Sequence, residues 1–135
     1  MSQARIRAAF ESRLAEWAAA QSLPVVWQNV SIQLPTGNHL RAYLLPAGTT
    51  SRDVAGDNRS YRGVFQVSVF TMPGQGAGRA EQTVRGLEAL FPLTLCMDSG
   101  ELRVRVITPM SAGPAVQEAD WFIVPVSCRY EADDR

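Results

Sequence analysis

The chain has 135 residues, with 13 acidic and 13 basic side chains and a formal net charge of zero. The length fits one domain over residues 1–135, and 46% hydrophobic with 19% charged residues describes a globular chain rather than a disordered one. The zero balance gives no whole-molecule reason to expect nucleic acid, and every basic residue is Arg, which excludes the Lys-dependent Walker A loop and Schiff-base chemistry.

Ile6, Phe10, Leu14 and Trp17 recur at steps of four, four and three, which predicts an amphipathic helix over Gln3 to Gln21. Ser22, Leu23 and Pro24 end it, because Pro disfavours helical geometry in the residue before it. Val25 to Trp27, then Val30, Ile32 and Leu34, read as a strand whose apolar parity changes near Gln28 and Asn29, as at a bulge or break. Pro35 to Asn38 is a turn cluster, and Leu40, Ala42 and Leu44 are expected to form the hairpin partner of the first strand. The stretch PAGTTSRDVAGDNRSYR, Pro46 to Arg62, has almost nothing to bury and is expected to be a long polar loop. Loops of that length inside compact domains are mostly functional or disordered.

Gly63 to Thr71 reads as a central strand, with Phe65, Val67 and Val69 on one face and Val64, Gln66, Ser68 and Phe70 on the other. After the turn MPGQGAG, a second helix is expected over Arg79 to Phe91, burying Val84, Leu87, Leu90 and Phe91 and stopped by Pro92. Leu93, Leu95 and Met97 suggest a short strand, and Asp98 to Gly100 a turn. Leu102 to Ile107 then alternates, with Leu102, Val104 and Val106 inward and Arg103 and Arg105 outward. A loop over Pro109 to Asp120 leads to a last strand whose core face is Phe122, Val124, Val126, Cys128 and Tyr130. Pro125 lies on the other parity and cannot donate to a ladder, which suggests a sheet edge or a bulge. The acidic tail EADDR is expected to fray. The order of elements implies an α+β fold: a mainly antiparallel mixed sheet with two helices packed on one face.

No set of residues has the spacing of a catalytic site. His39 is the only histidine and is expected to be an exposed turn residue, with no G-x-S-x-G motif to pair with. Gly74, Gly76 and Gly78 are spaced G-x-G-x-G with Arg79 at the sixth position and no βαβ unit around them, so a flexible turn is expected instead of a dinucleotide fingerprint. Cys96 and Cys128 are expected to be buried free thiols. Asp53 with Asp57, and Glu118 with Asp120, read as solvated loop charge without metal-ligand spacing. Arg52, Arg59 and Arg62, interleaved with Asp53 and Asp57, suit a partner protein better than a polyanion. No catalytic, cofactor or metal residue is assigned. No apolar run approaches the ~20 residues of a membrane span, and the polar start MSQARIRAAFESR is not a secretory signal, so synthesis in the cytoplasm is expected.

Four strings, in order, resemble a known family: IRAAFESRLAEWAAAQSLPVVWQNV, LRAYLLPA, YRGVFQVSVF followed by PGQGAGRAEQ, and DWFIVPVSCRYEA. From Ile6 to Ala132 the chain is similar to the tail-terminator-like proteins of long-tailed bacteriophages and prophages. The resemblance implies an α+β subunit like the lambda-type terminator, closing into a hexameric ring that caps the tail tube, ends its polymerisation and offers a surface for head joining. It implies as partners other copies of the chain, the tail tube protein and a head-completion or connector protein. It implies no cofactor, membrane, specific nucleic acid or small-molecule substrate. The implied place is the head-proximal end of the virion tail, after synthesis in the bacterial host. Interface residues are then expected at Arg52, Asp53, Asp57, Arg59 and Arg62 in the polar stretch, and at Arg103 and Arg105, facing the ring lumen or a neighbour. Two rival readings stand beside it: another head–tail joining subunit of head-closure or adaptor type, and a small-ligand binder or enzyme using the Gly-rich turn and His39.

Overall fold

A computed structural model describes residues 2–28, 35–51, 59–74 and 77–134. Helix α1 (Ser2–Ala20) buries Ile6, Phe10, Leu14 and Ala18, the stripe its spacing requires. It closes in a Schellman arrangement: Leu23 N–H donates to the Ala18 carbonyl at 2.9 Å and Ser22 N–H to the Ala19 carbonyl at 3.2 Å. Ser22 holds the left-handed position at φ 57°, and Pro24 follows where a helix cannot continue.

The sheet is built from β1 (Val25–Trp27), β2 (His39–Ser51), β3 (Arg59–Thr71), β4 (Cys96–Ser99), β5 (Leu102–Val106), β6 (Ser111–Ala112), β7 (Val116–Gln117) and β8 (Phe122–Asp134). Helix α2 (Ala77–Leu90) falls between β3 and β4. The strand order is β1-β2-β3-β8-β5-β4, with β6 and β7 also paired to β8. Both helices pack on the face carrying Phe65, Val67 and Val69 of β3 and Val126, Cys128 and Tyr130 of β8. Phe10 stacks on Phe65 at 4.4 Å between ring centroids, with Phe91 and Tyr130 at 5.7 and 5.5 Å, so one aromatic cluster ties α1, the end of α2 and the two central strands together. Gly63 belongs to this packing. A Cβ there would collide with the Tyr130 hydroxyl and the Leu45 carbonyl.

Four expectations change. β1 pairs with β2 in parallel, Val25 with Leu40 through Trp27 with Ala42, so the two are not a hairpin. A tight turn reverses the chain and cannot leave two strands parallel. Val30, Ile32 and Leu34 lie outside the described residues. The polar stretch is largely strand: Pro46 to Ser51 extends β2 and Arg59 to Arg62 opens β3, paired from Pro46–Gly63 to Ser51–Arg59 with a bulge at Ala47. Thr and Ser suit a ladder whose cohesion is cross-strand pairing, so little burial is needed there. The tail does not fray, because Glu131 to Asp134 complete β8 between β3 and β5, with Ala132 fully buried. Within the expected loop over Pro109 to Asp120, β6 and β7 form two short ladders on β8.

Pro125 sits in the middle of β8 without breaking it. Its carbonyl accepts from Gly113 N–H at 2.7 Å, so its nitrogen faces the same side, into the gap between β6 and β7. No ladder donor is needed there, which is the bulge the parity of Pro125 suggested.

Candidate assembly surface

The face of the sheet opposite the helices carries the odd-numbered residues of β5 and β8 and the even-numbered residues of β3 from Arg59 onward, by the two-residue period of a strand. The register aligns Arg62 of β3 with Glu131 of β8 and Glu131 with Arg105 of β5. One row further, Ser60, Asp133, Arg103 and Asp98 line up across four strands. Charges alternate along these rows, and they pair. Arg62 Nε is 3.4 Å from Glu131 Oε1, and Arg105 Nη2 is 3.2 Å from Glu131 Oε2 and 2.7 Å from Asp133 Oδ2. Arg103 Nε is 3.2 Å from Asp98 Oδ1. Arg105 is the centre of the ladder, and its partner Asp133 is the least exposed member at 15%. Arg62 and Arg103, at 64% and 47%, reach into solvent.

Of the seven residues expected at an interface, the structure brings Arg62, Arg103 and Arg105 onto this one face. Arg59 is exposed at the start of β3, opposite Ser51 of β2. Arg52, Asp53 and Asp57 lie outside the described residues. The acidic half of the ladder, Asp98, Glu131 and Asp133, was missed from sequence. The alternation of Tyr130, Glu131, Ala132 and Asp133 continues the parity of the preceding strand and could have identified it. The exposed hydrophobic side chains of Leu45 and Ile107 stand beside the charged rows.

His39 is not an exposed turn residue. It is 1% exposed, and opens β2 directly opposite Phe70. Its ring stacks on Phe70 at 4.7 Å and meets the edge of Trp121 at 4.8 Å, and Nδ1–H donates to the Gly37 carbonyl at 2.9 Å. Burial holds its pKa below the ordinary histidine value, with Arg41 adding to the depression against the Gly37 hydrogen bond. The Arg41 guanidinium lies 4.3 Å from the centre of the Phe70 ring. The imidazole therefore acts as a packed aromatic. Cys128 is buried, and burial pushes its thiol up to about 12, whereas Cys96 is exposed, contrary to expectation. Cys96 lies on β4, at the end of the strand order, opposite Arg105.

The Gly-rich turn is described only in part. Gly74 takes φ 85° in the turn, Gly78 lies within the first turn of α2, and Gly76 is outside the described residues. Among the described residues, no group of three His, Cys, Asp or Glu is placed to hold a metal, and no helix is long and apolar enough to cross a membrane. The arrangement offers strands, an ion-pair ladder and exposed aliphatic side chains, which are features of a protein-binding surface.

The comparisons agree with that chemistry. A solved structure with 52% sequence identity superposes with a TM-score of 0.84, covering 98% of this chain and 96% of that one. No curated protein matches the chain. The family model described as "Phage tail terminator protein" matches residues 5–130. That family is structural, and its members are components of the virion tail that interact with other tail or head proteins. This chain belongs to the phage tail terminator protein family.

Proposed function

We propose that this chain is the subunit of a ring, six copies around one axis, that caps the head-proximal end of the tail tube, stops its growth and presents the surface to which the head-completion or connector protein joins. The match to the terminator family over residues 5–130 is the observation that carries this reading. A ring of identical copies needs two different patches per subunit that meet heterologously and close. The ladder face containing Arg62, Arg103 and Arg105 is offered as one such patch, and the segment that joins β2 to β3 as the other. The proposed contacts are Arg52, Asp53, Asp57 and Arg59 in and beside that segment, and Arg62, Arg103 and Arg105 on the ladder. In this reading the protein needs no cofactor and carries out no reaction.

The test is genetic and microscopic. Phage lacking the gene should produce tails of excess length. Tails of normal length without heads would instead identify a head-joining protein. A chain lacking residues 50–58 should fold, because Thr49 and Tyr61 still pair and Arg59–Ser60 can close a two-residue hairpin. It should fail to restore tail length in complementation. Normal tails from this shortened chain would sink the assignment of contacts to the segment joining β2 and β3.

A further inference from the structure

Two charged features beside β8 lie apart from the ion-pair ladder. The first is a cavity of about 590 Å³ on the open face of the sheet. Val64, Ser127 and Arg129 line it from β3 and β8, and Thr108 and Ser111 form the other wall. That wall is fixed to the strand: Arg129 N–H donates to Thr108 Oγ1 at 2.8 Å, and Ser111 pairs with Ser127. Arg129 is exposed, and among the described residues its guanidinium has no carboxylate partner. One guanidinium beside three hydroxyls is a donor set for a carboxylate.

The second is the tip of the hairpin between β7 and β8. Gln117 pairs with Phe122, and Glu118 N–H donates to the Trp121 carbonyl at 2.8 Å, so Ala119 and Asp120 reverse the chain. Trp121 anchors the tip, its ring 4.8 Å from that of His39 and 6.0 Å from that of Phe70. Glu118 and Asp120 are exposed, and among the described residues neither carboxylate has a basic partner. The tip is thus a held, protruding pair of acids.

Asp120 and Arg129 are nine residues apart along an extended chain, which is about 30 Å at the rise of a strand. No side chain spans that distance, so the tip and the cavity cannot meet within one copy. Between copies they can, and a contact that joins two different patches of the same chain repeats head to tail, as a ring requires. We propose that the Glu118–Asp120 tip of one copy docks in the Arg129 cavity of the next, with a carboxylate on the guanidinium and the surrounding hydroxyls. Opposite charge at the two halves fixes which patch meets which. The contact rests on the ring reading above and names a second copy as the occupant, because the chain itself supplies both halves and uses neither internally.

Cysteine pairing in assembled particles tests it. In a Cys96→Ser background, Ser111→Cys with Ala119→Cys should give, after mild oxidation, a ladder of disulfide-linked multiples of the chain on a denaturing gel. Either cysteine alone should give none. The ladder reports contact between copies wherever the ring sits in the particle. If loss of the gene leaves tail length normal, tube capping fails and the ladder alone decides this contact. Charge reversal is the second arm. Arg129→Glu, and separately Glu118→Arg with Asp120→Arg, should each produce overlong tails, and all three changes in one chain should restore normal length. Unlinked chains from particles carrying the double-cysteine protein overturn the contact, as does a ladder from one cysteine alone. Where loss of the gene lengthens tails, normal tails from either reversal also overturn it. Reversed chains that fold, by circular dichroism and a thermal melt, and are not rescued by their combination overturn the second copy as the occupant. Should a reversed chain lose its cooperative melt, the cysteine pair decides.

Discussion

At the scale of single residues, the side chains that looked reactive are the ones most fully used in packing. His39 is buried against Phe70 and Trp121 with its pKa lowered by desolvation. In the unfolded chain it titrates near the ordinary histidine value of 6.5, so on acidification the unfolded state takes up a proton before the folded state does. The stability contributed by neutral His39 is complete above that value and is lost as pH falls toward the lower folded pKa. His39→Gln should cost stability at pH 7.5, and its pH dependence between 7.5 and 5 should be shallower than that of the wild type. Urea melts at several pH values that run parallel for the two proteins would refute this. The ladder residues differ in a similar way. Arg105 meets two carboxylates, one of them mostly buried, whereas Arg103 meets a single exposed one. Arg105→Met should cost about 1–2 kcal/mol, as loss of hydrogen bonds to charged groups does, and Arg103→Met about 0–1 kcal/mol. Equal losses, read from denaturant midpoints, would place the weight of the ladder elsewhere.

At the scale of elements, α1 shows how a local signal can be right while its chemistry is suboptimal. The Ser22-Leu23-Pro24 stop lies where the sequence indicates, but the position needing a left-handed residue holds Ser, at φ 57°. A Cβ in that conformation costs roughly 1–2 kcal/mol, partly offset by the greater flexibility of Gly in the unfolded chain. Ser22→Gly should therefore stabilise the protein by about 0.5 kcal/mol, visible as a small rise in Tm. A fall in Tm would mean that the Ser22 side chain contributes something the backbone geometry does not show. The strands teach the opposite lesson. Alternation identified β5, the core parity of β8 and the faces of β3, because one buried face imposes period two on the sequence. It failed at Pro46 to Ser51 and at Arg59 to Arg62, where the pairing in β2 and β3 is held by backbone hydrogen bonds and leaves little apolar trace.

At the scale of the whole molecule, Phe10 is the side chain through which the helical layer grips the sheet. It touches Phe65, Phe91 and Tyr130, which come from three different elements or their ends. Phe10→Ala should cost about 3–5 kcal/mol, in line with large aromatic truncations in a core. Calorimetry showing a loss under 1 kcal/mol would mean that α1 is not integral to the fold. The consequence for function is that the packed side of the sheet is rigid and unavailable, and the opposite side carries the charges and exposed aliphatic residues. The proposed contacts at Arg62, Arg103 and Arg105 lie on that open side.

The sequence by itself determined the α+β order of elements, the core-facing positions and a family resemblance that the comparisons bear out. These follow from spacing and residue type, which are local or cumulative along the chain. Only the tertiary structure decided that β1 runs parallel to β2, that the polar stretch extends a hairpin, that His39 is buried, and that Glu131 and Asp133 bind Arg62 and Arg105. Each of those depends on a partner strand distant in sequence. The charge or polarity of a residue reports its own preference for water, while its place in a ladder is set by what the fold brings opposite it.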